Sequence, residues 1–238
     1  MTLLAQLLIA HFAADFLLQP KRLLEQKQQR PWTSGWLYVH GAIHFALSWL
    51  LSWDLTFWWS ALAIGLSHIF IDGLHQSLKN ERRTRWLLLV DQGLHIAVLV
   101  ILAGIWSKAP LLPANFDTDR FWRVTCGALF LTLPVAHMIR GLLTPWTKEM
   151  DDAEPLAALP RAGQYIGMLE RLIAYGFLLM GMWQAVGFLL AAKSVFRFND
   201  LTRAKDRRLT EYVMVGTLLS FGIAYAVALL VGPLPPPK

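Results

Sequence analysis

Long apolar runs, broken by short polar and basic bursts, set the pattern of the chain. The runs fall at about 2–19, 36–53, 57–78, 87–106, 121–140, 165–183, 184–198 and 212–231. Most approach the ~20 residues that a helix needs to cross a bilayer. The pattern predicts an all-α, polytopic transmembrane helical bundle of about eight membrane segments, or seven if the short 184–198 run is re-entrant. The first run, MTLLAQLLIAHFAADFLLQPKR, has its charges after the apolar stretch and no small-residue cleavage site. It therefore predicts a first membrane helix and not a removed signal peptide. No linker separates two domains. Residues 1–106 predict a four-helix metal-binding bundle, and residues 107–238 further helices of the same compact domain.

Composition sharpens this reading. The 238 residues are 55% hydrophobic and 16% charged, against about 25% charged in an ordinary soluble domain. The net charge of +6 comes largely from three bursts. These are Lys21, Arg22, Lys27 and Arg30, then Lys79, Arg82, Arg83 and Arg85, then Arg203, Lys205, Arg207 and Arg208. Basic loops hold membrane helices in orientation, so membrane lipids are the expected partner and nucleic acid is not. With the three bursts cytoplasmic, both termini fall on the non-cytoplasmic side of a bacterial inner membrane. Trp53, Trp58 and Trp59 then form an external aromatic belt. The lone Cys126 excludes an intramolecular disulfide and a cysteine-based zinc site.

Against this apolar background stand four pairs of ionisable residues. They are His11 with Asp15, His40 with His44, His68 with Asp72, and Asp91 with His95. Each pair is spaced i, i+4, which puts both members on one helix face one turn apart. The loop charges make successive helices antiparallel, so Asp15, His40, Asp72 and Asp91 share a shallow layer near the cytoplasmic face. His11, His44, His68 and His95 share a layer ~6 Å deeper. A weak repeat, HFAADFLLQPKR and HIFIDGLHQSLK followed by HGAIH and DQGLH, predicts two hairpins of one design packed pseudo-symmetrically. One such pair is explained by hydrogen bonding between helices. Eight ionisable groups at one depth, at roughly 2.5–3.5 kcal/mol each on the lenient scale, call for charge compensation. A divalent metal (Zn, Fe, Mn or Ni), expected as a dinuclear site, supplies it. His75 is a secondary ligand candidate. Gln19, Gln76 and Gln92 are candidate partners of the ligands, and His137 reads as a packing residue.

The second half carries RAGQYIGMLER, AAKSVFRF and RRLTEY. Arg161, Glu170, Arg171, Lys193 and Arg197 form a candidate substrate-binding set at the cytoplasmic face, able to hold a phosphate or lipid headgroup. Gly163 and Gly167 predict close backbone approach there. The leading expectation is a metal-dependent membrane hydrolase of an anionic small-molecule or lipid substrate, with Asp15, Asp72 and Asp91 as catalytic carboxylates. The alternatives are a divalent-metal transporter or sensor, and a structural membrane protein with a metal staple. Transport ranks lower because the first four helices are nearly apolar beyond the histidine layer.

The ordered motifs H-x3-D-F-x2-Q (His11, Asp15, Phe16, Gln19), H-G-x2-H (His40, Gly41, His44), H-x3-D (His68, Asp72) and D-Q-x2-H (Asp91, Gln92, His95) are specific as a set. Over roughly residues 3–105 the chain resembles a bacterial family described only as a domain of unknown function, number 3307. That resemblance implies a small polytopic membrane protein and no mechanism.

Overall fold

A computed structural model describes residues 2–19, 32–78, 84–107, 120–148, 162–198 and 207–232. Among these residues the chain is helical and without strands. The helices are α1 (Thr2–Phe12, continued by a π-helical turn at Ala13–Leu17), α2 (Gly35–Ser52), α3 (Trp58–Leu78, preceded by a 3-10 turn at Leu55–Phe57) and α4 (Thr84–Ser107). Then come α5 (Arg120–Phe130), α6 (Leu133–Lys148), α7 (Ala162–Leu179), α8 (Trp183–Phe198) and α9 (Arg207–Val231). Every predicted apolar run is helical, and the fifth is broken at Leu131–Thr132.

Four stretches are long and apolar enough to cross a membrane: Leu55–Leu78, Leu89–Trp106, Arg120–Thr144 and Glu211–Val231. The remaining runs fall short for visible reasons. The first helix runs only from Thr2 to Leu17, α2 carries two histidines, α7 carries Glu170 and Arg171, and α8 has 16 residues. Large apolar side chains such as Leu50, Leu66, Phe70, Phe188, Leu218 and Leu230 lie exposed on the helices, as lipid-facing positions do.

The chain divides into two compact units, Met1–Leu129 and Phe130–Lys238. In the first, α1 packs on α2 and α4, and α3 packs on α2 and α4, closing a four-helix ring. The tightest contact is between α2 and α3, and glycine makes it possible. A Cβ on Gly65 would stand 2.8 Å from the Gly41 carbonyl oxygen, and one on Gly41 would stand 2.3 Å from Ile69. Beyond the histidines, Leu7, Phe57, Ala61, Ile64, Leu99 and Ala103 make a buried apolar plug. On α2 the chain leaves the helix through Trp53 in the left-handed region, φ 54°. Asp54 then caps the 3-10 turn by accepting from the Thr56 N–H.

In the second unit, α7 packs on α6, α8 and α9, and α6 on α9. α7 ends in a Schellman motif: Gly181 has φ 73°, its N–H donates to Leu178 O, and the Met182 N–H donates to Phe177 O at 2.8 Å. Pro134 has no N–H for the Phe130 carbonyl four residues back, which explains the break before α6.

Candidate metal centre

The centre starts with one irregular turn. α1 passes into π geometry at Ala13–Leu17, with the Leu18 N–H donating to Ala13 O at 3.0 Å. Such turns are rare and recur at functional sites. Asp15 lies within it and reaches across to α2 and α3. One carboxylate oxygen, Asp15 Oδ1, has His44 Nε2 at 2.9 Å, His40 Nε2 at 3.0 Å and His68 Nε2 at 3.4 Å. Asp15 Oδ2 lies 3.7 Å from His11 Nε2. A carboxylate oxygen offers two lone pairs, fewer than the three imidazole nitrogens gathered on it.

A second group continues from the first. Asp72 Oδ2 stands 3.8 Å from His68 Nε2 and 4.0 Å from His40 Nε2. Asp72 also lies with Asp91 and His95, one donor atom of each falling within 4.8 Å of the others. His95 Nδ1 is 2.9 Å from the Asp91 main-chain oxygen. That oxygen only accepts, so Nδ1 carries the proton and Nε2 keeps its lone pair, the tautomer that binds metals. His75 Nδ1 lies 3.2 Å from Asp91 Oδ1. Gln92 ties the groups together: its amide nitrogen donates to Asp15 Oδ2 and to Asp91 Oδ2, each at 3.3 Å. The Gln92 oxygen lies 3.4 Å from His11 Nε2. The imidazoles also touch one another. The rings of His44 and His68 stack at 3.4 Å between centroids, and those of His68 and His95 stand at 4.0 Å.

All eight predicted ligands therefore gather in one cluster at the core of the four-helix ring. His11, His40, His44, His68, Asp91 and His95 are buried, while Asp15 and Asp72 are partly exposed. The donors fit a cation. Tetrahedral zinc with ligands at ~2.0–2.1 Å separates its ligand atoms by about 3.3 Å, and the approaches here run from 2.9 to 4.0 Å. Five buried atoms of the ligand candidates, His44 Nδ1, His68 Nε2, His75 Nδ1, Asp91 Oδ1 and His95 Nε2, have no hydrogen-bond partner. Orphaned buried polar atoms are costly in a helical core, and ligation to a cation is one way to satisfy such imidazole and carboxylate atoms.

The candidate substrate set lies in the second unit. Arg171 is buried, and each guanidinium nitrogen has a bond within that unit: Nε to Leu131 O at 2.6 Å, Nη2 to Thr132 O and Nη1 to Ser220 Oγ, each at 3.2 Å. It thus satisfies carbonyls freed at the α5–α6 break. Lys193 pairs with Glu170. Arg161 lies outside the described residues, as does the Arg197 side chain. The glycine expectation for this unit is corrected. A Cβ on Gly163 would meet nothing within 4 Å, and one on Gly167 only Arg171 Nη1 at 3.4 Å. The close approach occurs instead at Gly41 and Gly65. The π-helical turn had no signal in the sequence, whereas Gly41, inside the H-G-x2-H motif, did.

Comparison with known proteins places the motifs in one family. Residues 3–119 match the model of the family described as Protein of unknown function (DUF3307), a stretch that contains all of the cluster. No curated protein and no solved structure matches the chain. Through residues 3–119 the chain belongs to the DUF3307 family.

Proposed function

We propose that the first unit is a membrane-embedded divalent-metal centre that hydrolyses an anionic substrate, a phosphate ester or a lipid headgroup. The observation that carries the metal is the convergence of three imidazole Nε2 atoms from α2 and α3 on Asp15 Oδ1 from α1. A divalent cation held there supplies Lewis acidity and a nucleophilic water at neutral pH. The chain's own groups do the rest. Asp72, with 14% of its side chain exposed, is the most accessible of the three carboxylates and is placed to take the proton from the attacking water. Gln92 holds the carboxylates of Asp15 and Asp91 in register.

The apolar plug favours this reading over transport. Leu7 lies one turn beyond His11, Ile64 one turn beyond His68, and Leu99 one turn beyond His95, each on the side away from the paired aspartate. An ion passing through the ring would meet the Ser48 hydroxyl one turn beyond His44 and otherwise this apolar layer. The basic bursts at Lys21–Arg30 and Lys79–Arg85 flank the carboxylate end in sequence. They support a cytoplasm-facing opening in an inner membrane and draw anions toward it.

The test is hydrolysis of a panel of phospholipids and nucleotides by the purified protein, as isolated, after chelation and after metal is returned. Turnover that disappears on chelation, returns with metal and falls at least 100-fold in Asp72→Asn is expected. Metal uptake into proteoliposomes without any turnover would reject the hydrolase in favour of transport.

A further inference from the structure

The donor atoms of the first unit fall into two neighbourhoods of unequal exposure. The inner one holds His11, Asp15, His44 and His68, with three imidazoles and one carboxylate. Its histidine side chains are 1–2% exposed. The outer one holds Asp72, Asp91 and His95, where Asp72 is 14% exposed and Asp91 9%. Asp72 is also grouped with His40 and His68, so it stands between the two.

His75 joins the outer group through Asp91. Its Nδ1 and Asp91 Oδ1 are 3.2 Å apart, yet neither atom has a hydrogen-bond partner. The pair is thus a close contact of two buried donor atoms without hydrogen-bond geometry. His95 Nε2, buried and freed by the Nδ1 bond to Asp91 O, is unpartnered in the same neighbourhood. Gln76 Oε1, one turn on from Asp72 along α3, is also buried without a partner. Asp72, Asp91 and His95 thus bring one donor atom each within 4.8 Å of the others, and His75 reaches this group through its 3.2 Å approach to Asp91 Oδ1.

We propose that this outer neighbourhood is a second metal position, with His75 as a ligand beside Asp72, Asp91 and His95, and that it exchanges its ion while the inner position retains its own. The inference rests on the reading of the unit as a metal centre. Two carboxylates make the outer set harder than the inner one, and more tolerant of manganese or iron. Its exposure opens it to chelators and to the oxygen of an anionic substrate. Asp72, grouped with both neighbourhoods, stands between the two positions.

Zinc stoichiometry and release from the full-length protein in detergent test this. Wild type is expected to bind two zinc ions per chain and to lose one to EDTA well before the other. His75→Gln and Asp91→Asn should each weaken the first-lost ion at least tenfold, leave the retained ion within about twofold, and keep wild-type helicity by circular dichroism. One zinc per folded wild-type chain would overturn the second position while leaving the metal centre intact. So would zinc affinities in both variants equal to wild type, or loss of both ions together from folded His75→Gln. A folded wild type that binds no zinc, manganese or iron would instead remove the metal-centre reading, and this inference with it.

Discussion

Three imidazoles on one carboxylate oxygen leave little tolerance for movement, and Gln92 is the side chain that limits it. Its amide holds Asp15 on α1 and Asp91 on α4 at once. Outer partners of metal ligands typically contribute 10–100-fold in affinity. Gln92→Ala should therefore weaken metal binding by about that factor with helicity unchanged, measured by competition with a chromophoric chelator, and unchanged affinity would contradict the role. A second residue-scale expectation concerns pH. The Thr56 hydroxyl, and then the Thr56 main-chain N–H, hold the Asp54 carboxyl below the usual carboxylate range. A depressed carboxylate adds stability that is present above its unfolded-chain pKa of about 4 and lost as pH falls through the folded value. Asp54→Ala should lower Tm at pH 7, and the gap from wild type should narrow as the carboxyl protonates. A gap that stays constant into acid would show that the cap acts through shape alone. The paired ligands were legible because i, i+4 spacing is a helical signature that needs no tertiary information. The turn that lets Asp15 reach α2 was not, because Ala13–Leu17 differs in sequence from no ordinary helix.

At the scale of elements, the α2–α3 crossing positions four of the eight ligands, and it depends on two glycines. Alanine at position 65 gains ~1 kcal/mol in helix propensity. Its Cβ, however, would stand 2.8 Å from a main-chain oxygen that has nowhere to go. Overpacking of this kind costs about 1–3 kcal/mol. Gly65→Ala should lower Tm and weaken metal binding, while Gly163→Ala, which meets nothing, should leave both unchanged or raise Tm slightly. Equal behaviour of the two variants would contradict the crossing. In the second unit, Arg171→Met should destabilise through the stranded carbonyls of Leu131 and Thr132, at about 1–3 kcal/mol per unsatisfied buried group. A Tm equal to wild type would mean that water replaces the guanidinium. Pro134 marked this break in the sequence, but the residue that satisfies it, 37 positions on, was not legible: a buried arginine and a snorkelling one look alike until the contacts are known.

At the scale of the whole molecule, the helical runs were legible because apolar length alone sets them, and four of them suffice to cross a bilayer. The common depth of the four pairs was an expectation from loop charge and spacing together. What pattern reading did not supply was the plug of Leu7, Phe57, Ala61, Ile64, Leu99 and Ala103, since apolar residues on four helices gain meaning only once packed against each other. That plug lies one turn beyond the deeper histidines. The most direct test of the metal centre is elemental analysis of the purified, folded protein beside His44→Ala and Asp72→Ala. Near-stoichiometric divalent metal in wild type, with most of it lost from each folded variant, is the predicted result. Wild-type protein isolated without metal and unable to take it up, or variants that hold as much as wild type, would contradict it.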